Sequence, residues 1–559
     1  MHLLRRKRTL PRRVSLLTVS TVTVLAAIAV SGAGAATPAP KPAKDQTLNY
    51  GVNILPILDP AFFGTNATWT IQDNLFVRLT SADPKTHQVT PALATSWTPS
   101  AGNTVWTFKL RHDAKFADGK PITSADVKYS LVRAFTPVSA GDMQALGVTN
   151  QFPQGLIVIP DVLGAQDIAK GAATTLPADA IRAPNKYTIR ITLAAPRNDL
   201  AQRLANPSLG IVEAANVAAT SAATPWWYNA VASGPFRMVG FVPNTSVSLA
   251  PNPYWFGDKP LLKRVNFNII TNLQTAEIAY QAGSLDFLKT VYSDVNNLSS
   301  SGYKDQLHGY ADNAVSVLLV NRVGATANPS VVKALTLALD KKTVAQTVLA
   351  GLPRVAQTFT PPQWPGYSVK GYKPIAFDPN AAKAELAKSG LNPSSIVIHL
   401  TYSASQDPRA AQAIAQMWQQ TLGINVQILT TPPPANASPD QAVNVQLQAQ
   451  GPTFVAPCSM VQRIKDILIT GAGANNVNIQ PTTTIQPALD DALNQCYQAP
   501  ASQVWSKVMA IETLNQQFQV FVPVLWNIDY FLIKPYVKGA SLGPYWNIGN
   551  LSKVWIAEH

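Results

Sequence analysis

The chain has little charge. Of its 559 residues only 13% are Asp, Glu, Lys or Arg, while 47% are hydrophobic. Such a composition excludes a highly charged disordered chain and allows large buried cores. Basic residues outnumber acidic ones 44 to 30, but six of the bases stand in the first thirteen positions, leaving 38 against 30 and no basic run. A nucleic-acid groove gathers Lys and Arg with aromatics on one face. No such cluster is present, so nucleic acid is not an expected partner. The six histidines stand singly and there are only two cysteines, so no metal site is expected. No G-x-S-x-G elbow, H-E-x-x-H helix or P-loop occurs. The run from Gly471 to Asn476 lacks the third glycine of a dinucleotide loop. These absences argue against an enzyme and against a cofactor. A secreted hydrolase is the weak rival.

What is present begins at the N-terminus. Arg5, Arg6, Lys7, Arg8, Arg12 and Arg13 precede an apolar run from Val14 to Val30, followed by the small residues Ala33-Gly34-Ala35. That is the layout of a secretory signal peptide over residues 1–35; an uncleaved N-terminal anchor, at the short edge of a bilayer span, is the alternative. No cysteine lies near the cleavage point, so a lipoprotein is not expected. Residues 36–45 read as a Pro-rich tether. The expected location is periplasmic, or otherwise in the cell envelope or outside the cell. In an oxidising compartment, an even cysteine count points to one disulfide, Cys458 to Cys496. On the chain-entropy model that bond is worth about 4 kcal/mol.

Periodicity supplies the elements, and the length implies two or more domains. Between Pro91 and Arg133, Trp106, Phe108 and Leu110 alternate with polar residues, which predicts a half-buried strand. Asp118-Gly119 follows as a turn, then Thr123 with Asp126 as a capping box opening a helix that carries Val127, Leu131 and Val132. A second patch, Ala232 to Phe287, runs from Ser233-Gly234-Pro235-Phe236 through two strands to Asn252-Pro253-Tyr254-Trp255-Phe256-Gly257. A further strand and the helix Leu273 to Ala282 follow, then Leu285-Asp286-Phe287. A third patch, Asn328 to Gly351, predicts one amphipathic helix with Val331, Val332, Leu335, Leu339 and Val344 on one face. Beyond it, Pro379 to Lys388 and Asp407 to Leu422 read as helices, and the strand after Gly423 continues an α/β alternation.

The three patches, in this order, closely resemble the family 5 extracellular solute-binding proteins, the peptide-, nickel- and opine-type receptors of ABC importers. The second resembles the family's "GTGPY … N-x-x-Y-W … G-x-x-D" pattern, with Ser233 at the Thr-type position. The third resembles its "vR-x-Al-x-x-AiDr" helix, with Lys333 and Lys341 where Arg is usual. The resemblance implies an α/β, two-lobed periplasmic-binding-protein-like fold with hinge strands and an extra subdomain inserted in the first lobe. Carried over by order, lobe I takes 46–80, 205–297 and 521–559, the insertion 81–204, and lobe II 299–518. The implied function is capture of an oligopeptide or similar amide-rich solute in the interlobe cleft and delivery to the permease subunits in the membrane, by a monomer. A sugar, siderophore or metal-chelate receptor, or an envelope scaffold that no longer transports, is the alternative.

One departure bears on the ligand. Peptide receptors of the family resemble one another in a "W-x-x-D" segment whose carboxylate pairs with the ligand's α-ammonium. The counterpart here, Val445 to Met460, has neither Trp nor an acidic residue. It offers the neutral groups of Gln446, Gln448, Gln450 and Thr453, with Phe454 as an apolar wall. Pockets are mostly apolar with a few placed polar groups. The candidate ligand contacts are therefore Phe62, Phe63, Trp227, Trp364, Gln448, Thr453, Phe454 and Trp526.

Overall fold

The computed structural model describes residues 40–53, 57–62, 66–136, 153–219, 225–290, 292–403, 406–431, 438, 441–451, 456–470, 485–542 and 549–559. The signal-peptide reading, and Phe63, Thr453 and Phe454, lie outside them. Residues from Pro42 onward form one unit.

Alternating burial builds the strands and apolar stripes build the helices. Eleven strands form one sheet: Thr47–Val52 (β1), Phe236–Val242 (β2), Ser246–Pro251 (β3), Arg264–Ile269 (β4), Phe287–Thr290 (β5), Leu307–Val320 (β6), Arg354–Val355 (β7), Val397–Tyr402 (β8), Asn425–Leu429 (β9), Val445–Gln450 (β10) and Phe521–Ile533 (β11). The order across it is β9-β8-β10-β6-β11-β5-β1-β4-β3-β2, with β7 beside β11. At one end β1 pairs in parallel with both β4 and β5. At the other, β8 pairs in parallel with β9 and β10. The helices Leu273–Gln281 and Pro408–Leu422 make the crossovers that such parallel pairs require. Each end has its own apolar core, one around Tyr50, Phe236 and Phe267 and the other around Leu335, Ile398 and Trp418.

The two ends are joined by the antiparallel pair β6 and β11. Leu307 to Ala311 face Leu532 to Ile528, and Val315 to Leu319 face Trp526 to Phe521. Between them the register breaks at Ala311/Val315 and again at Ser316/Val317. Pro523, opposite Val317, has no N–H to give the ladder, which suits it to an irregular position. These are two hinge strands with a bulged middle, and the fold is the two-lobed one expected. A second sheet, in the order Ala94–Pro99, Val105–Leu110, Thr188–Thr192, Ile181–Asn185, is antiparallel throughout. It packs with the helix Ser124–Arg133 in a separate core.

The expected local signals can be followed atom by atom. Trp106, Phe108 and Leu110 are buried. The Asp126 carboxylate accepts from both the backbone N–H and the hydroxyl of Thr123, each at 2.8 Å. Ser233 takes the Val77 N–H at 3.0 Å and gives its hydroxyl to the Ile211 carbonyl at 2.6 Å. Asn252 donates to the Gly234 carbonyl at 2.8 Å. The third patch differs from expectation. Its helix stops at Leu337, and a new turn begins because Asp340 accepts from the backbone N–H groups of Lys342 and Thr343. The carboxylate competes for backbone donors that an uninterrupted helix would use itself. Cys458 and Cys496 form a disulfide, with Cα atoms 5.9 Å apart, tying the helices Pro457–Thr470 and Ile485–Gln498 together.

Gly234 is tightly enclosed. A Cβ there would stand 2.7 Å from the Asn74 carbonyl oxygen and 2.9 Å from the Phe76 nitrogen, both rigid backbone. Gly234→Ala is expected to cost about 2 kcal/mol through overpacking, read as a lower denaturant midpoint. An unchanged midpoint would contradict this packing.

Candidate functional site

The candidate site is built upward from the hinge. In the bulge of β6, the fully buried Asn313 accepts from Trp364 Nε1 at 2.5 Å and from Gln363 Nε2 at 3.3 Å. On β11, Trp526 Nε1 donates to the Thr358 carbonyl at 3.1 Å, and Ser316 Oγ donates to Asn527 Oδ1 at 2.8 Å. One loop, Thr358 to Trp364, is thus held to both hinge strands by indole N–H groups. From behind, Glu512 accepts the Phe359 N–H at 3.0 Å, the Thr360 N–H at 2.7 Å and the Thr360 hydroxyl at 2.8 Å. Burial raises the Glu512 carboxyl above the ordinary range even against those three donors.

The sheet register brings the candidates Trp526 and Gln448, with Gln450, to one face. Trp526 and Gln450 both stand opposite Val315, so they share a cross-strand row, and Gln448 lies one step further along that face. Trp364 and Trp526 belong to the same apolar cluster as Val315 and Val317. Gln448 is buried, and its Nε2 has no hydrogen-bond partner among the described residues. Gln450 accepts from Arg463 at 3.4 Å.

Phe62 and Trp227 lie in lobe I, apart from that group. Both are buried and flank a charge pair absent from the sequence reading. Asp59, fully buried, accepts from both terminal nitrogens of Arg133, from Trp226 Nε1 at 2.8 Å and from the Ala61 N–H at 3.0 Å. The guanidinium lies over the rings of Phe62 and Trp226, and Trp227 meets Trp226 edge-on. Asp59-Pro60 reads in sequence only as a turn; its partner is 74 residues away and carries no local signal. A cavity of about 280 Å³ also occurs in lobe I, lined by Trp69, Asp73, Arg78, Asp83, Asn550 and Lys553 among others, and it includes none of the candidates. Among the described residues no group of three His, Cys, Asp or Glu could hold a metal ion, and no helix is long and apolar enough to cross a membrane.

Comparison with known proteins settles the family. Residues 88–466, more than half of the chain, match the model of the bacterial extracellular solute-binding proteins, family 5 Middle. The chain belongs to that family. It is 28% identical to the periplasmic murein peptide-binding protein MppA of Escherichia coli, over 90% of this chain and 91% of that one. It is also 28% identical to the probable D,D-dipeptide-binding periplasmic protein DdpA of E. coli, over 65% of this chain and 66% of that protein. The solved structure of E. coli murein tripeptide-binding protein MppA superposes with a TM-score of 0.71 at 23% identity, covering 93% of this chain and all of that one.

In this receptor Asp59→Asn leaves Arg133 buried without its counter-charge and is expected to cost about 3 kcal/mol. Trp226→Phe removes one hydrogen bond and is expected to cost about 1 kcal/mol. Urea unfolding of both variants checks the ranking, and equal costs would contradict a charge pair at the centre of this network.

Proposed function

We propose that the chain is the extracytoplasmic binding component of an ABC importer, capturing an oligopeptide between its lobes and presenting the closed form to permease subunits. The observation that carries the reading is the pair of hinge strands: two α/β lobes share one sheet, and among the described residues the strands crossing between them, β6 and β11, are irregular where they cross. Bending at such a point lets the lobes close, and closure is favoured by any ligand touching both faces. The murein-peptide and D,D-dipeptide names of the relatives support a peptide over a sugar or chelate. A signal peptide, a Pro-rich tether and a monomer working outside the cytoplasmic membrane complete the reading. The tether, expected over 36–45, ends before Pro42, which pairs with Ala557 while the Ala43 N–H donates to the Ile556 carbonyl. We take the lobe boundaries as 46–80, 205–297 and 521–559 for lobe I, and 299–518 for lobe II, counting Leu307–Ala311 of β6 with lobe I and Phe521–Trp526 of β11 with lobe II because each strand traverses both.

The ligand is held near the hinge on the lobe II face. There the half-buried Trp526 supplies an apolar surface and Gln448 Nε2 donates to a peptide carbonyl. Phe62 and Trp227 support the opposing wall through the Asp59–Arg133 network. No carboxylate stands in the Val445–Met460 segment, so the peptide is gripped through neutral amide groups and its charged N-terminus is left in water. Calorimetric titration with trialanine and its N-acetyl derivative tests this, with affinities within about threefold of each other expected, since no buried ammonium–carboxylate pair distinguishes them. Binding of neither, alongside binding of a sugar or of nickel–histidine, would sink the peptide reading. Gln448→Leu separates ligand contact from scaffold. It is expected to weaken trialanine about tenfold while leaving folding stability equal or higher, because an unpartnered buried amide is removed. A loss of stability with unchanged affinity would make Gln448 structural.

A further inference from the structure

Away from the hinge, the inserted subdomain grips lobe II directly. Tyr497, on the helix Ile485–Gln498, is fully buried and donates its hydroxyl to Gln462 Oε1 of the disulfide-linked neighbouring helix. The Tyr497 hydroxyl oxygen in turn accepts from Arg203 Nη2 of the inserted subdomain at 3.1 Å. Arg197 stacks its guanidinium on the Tyr497 ring, 3.8 Å from the centroid. Asn198 Nδ2 donates to the Cys496 carbonyl at 3.3 Å and to the Ala499 carbonyl at 3.0 Å. Ala456, at the start of the lobe II helix, is buried in the subdomain's own apolar core.

We propose that Arg197, Asn198 and Arg203 form a clasp with Tyr497 that holds the lobes together without ligand and sets how much closed form exists before binding. The charge arrangement is what makes it releasable. On the subdomain, Arg203 pairs with Asp199 at 2.9 Å and faces Asp161 at 3.5 Å, while Arg197 pairs with Asp161 at 2.6 Å. Two cations therefore keep two anions when the lobes part. On lobe II, Tyr497 keeps Gln462, and Lys465 keeps Asp490. Neither half is left with an uncompensated buried charge, the circumstance that makes breaking an ion pair costly. The disulfide keeps the Gln462 and Tyr497 helices in register, so the lobe II half survives opening. A cross-lobe contact of this kind acts on affinity through the competent fraction: the more closed form exists beforehand, the tighter any ligand binds.

This inference rests on the hinge-closure reading, and the test separates the two. Small-angle scattering of the purified ligand-free chain is compared for the wild type, Arg197→Ala and Tyr497→Phe, with and without a tryptic digest of casein. Each variant is checked for a wild-type cooperative unfolding transition, and Asn198→Ala replaces any that fails. The expected result is a compact ligand-free wild type and variants of larger radius of gyration, the closed-to-open ratio falling about tenfold in Arg197→Ala for the lost guanidinium–ring contact. It falls also in Tyr497→Phe, which keeps the ring but loses the hydroxyl that Arg203 reaches. The digest then returns the variants to the wild-type radius. Variants as compact as the wild type, or a wild type as extended as the variants, would overturn the clasp. If the digest still compacts extended samples, hinge closure stands without the clasp. If the ligand-free difference is seen but the digest changes nothing, the clasp stands and the peptide reading falls.

Discussion

The pairing of β6 with β11 is the constraint on which the rest depends. Two strands of fourteen and thirteen residues traverse both lobes, so the sheet is continuous while the cores on its two ends are separate. Within each lobe, parallel strands and their crossover helices lock the layers. Between the lobes, among the described residues, the bulged middle of this ladder carries the backbone across. The register slips there, three residues of β6 standing against one of β11, and a ladder with unmatched residues bends more easily than a regular one. The rigidity of the lobes and the compliance between them come from the same pair of strands.

The aromatic groups at the hinge serve that arrangement. Trp364 and Trp526 each spend an indole N–H on fixing the 358–364 loop to a hinge strand, so the lobe II wall moves with its own half of the sheet. In lobe I the Asp59–Arg133 pair does the equivalent for the loop after β1. Its carboxylate has four donors, and such a fully satisfied network holds a loop in one conformation at a depth where partial satisfaction would be unfavourable.

Much of the fold was legible because its signals are local. Alternation at Trp106, Phe108 and Leu110, the Thr123–Asp126 cap and the Ser233-Gly234-Pro235-Phe236 run all show themselves within a few residues. Gly234 was readable as part of a pattern, though its reason, the backbone of Asn74 to Phe76 against its face, is not a sequence property. The helix after Asn328 was read too long, because an apolar stripe does not reveal that Asp340 restarts the backbone hydrogen bonding. The candidate site was legible only in part. Trp526 and Gln448 come together through strand register, and Trp364 joins them through its hydrogen bond to Asn313, neither of which any spacing in the chain displays. The Asp59–Arg133 pair and the Arg203–Tyr497 contact join residues 74 and 294 positions apart, and charged residues at such separations have no local pattern to betray them.

The central claim is that a peptide is held between these lobes through neutral groups. Native mass spectrometry of residues 36–559, purified without denaturant from a cell expressing the full chain, tests it most directly, since closing lobes retain their ligand. The account predicts a bound mass that fragments as a peptide, including species with blocked or modified N-termini. A bound sugar, siderophore or metal chelate would contradict it.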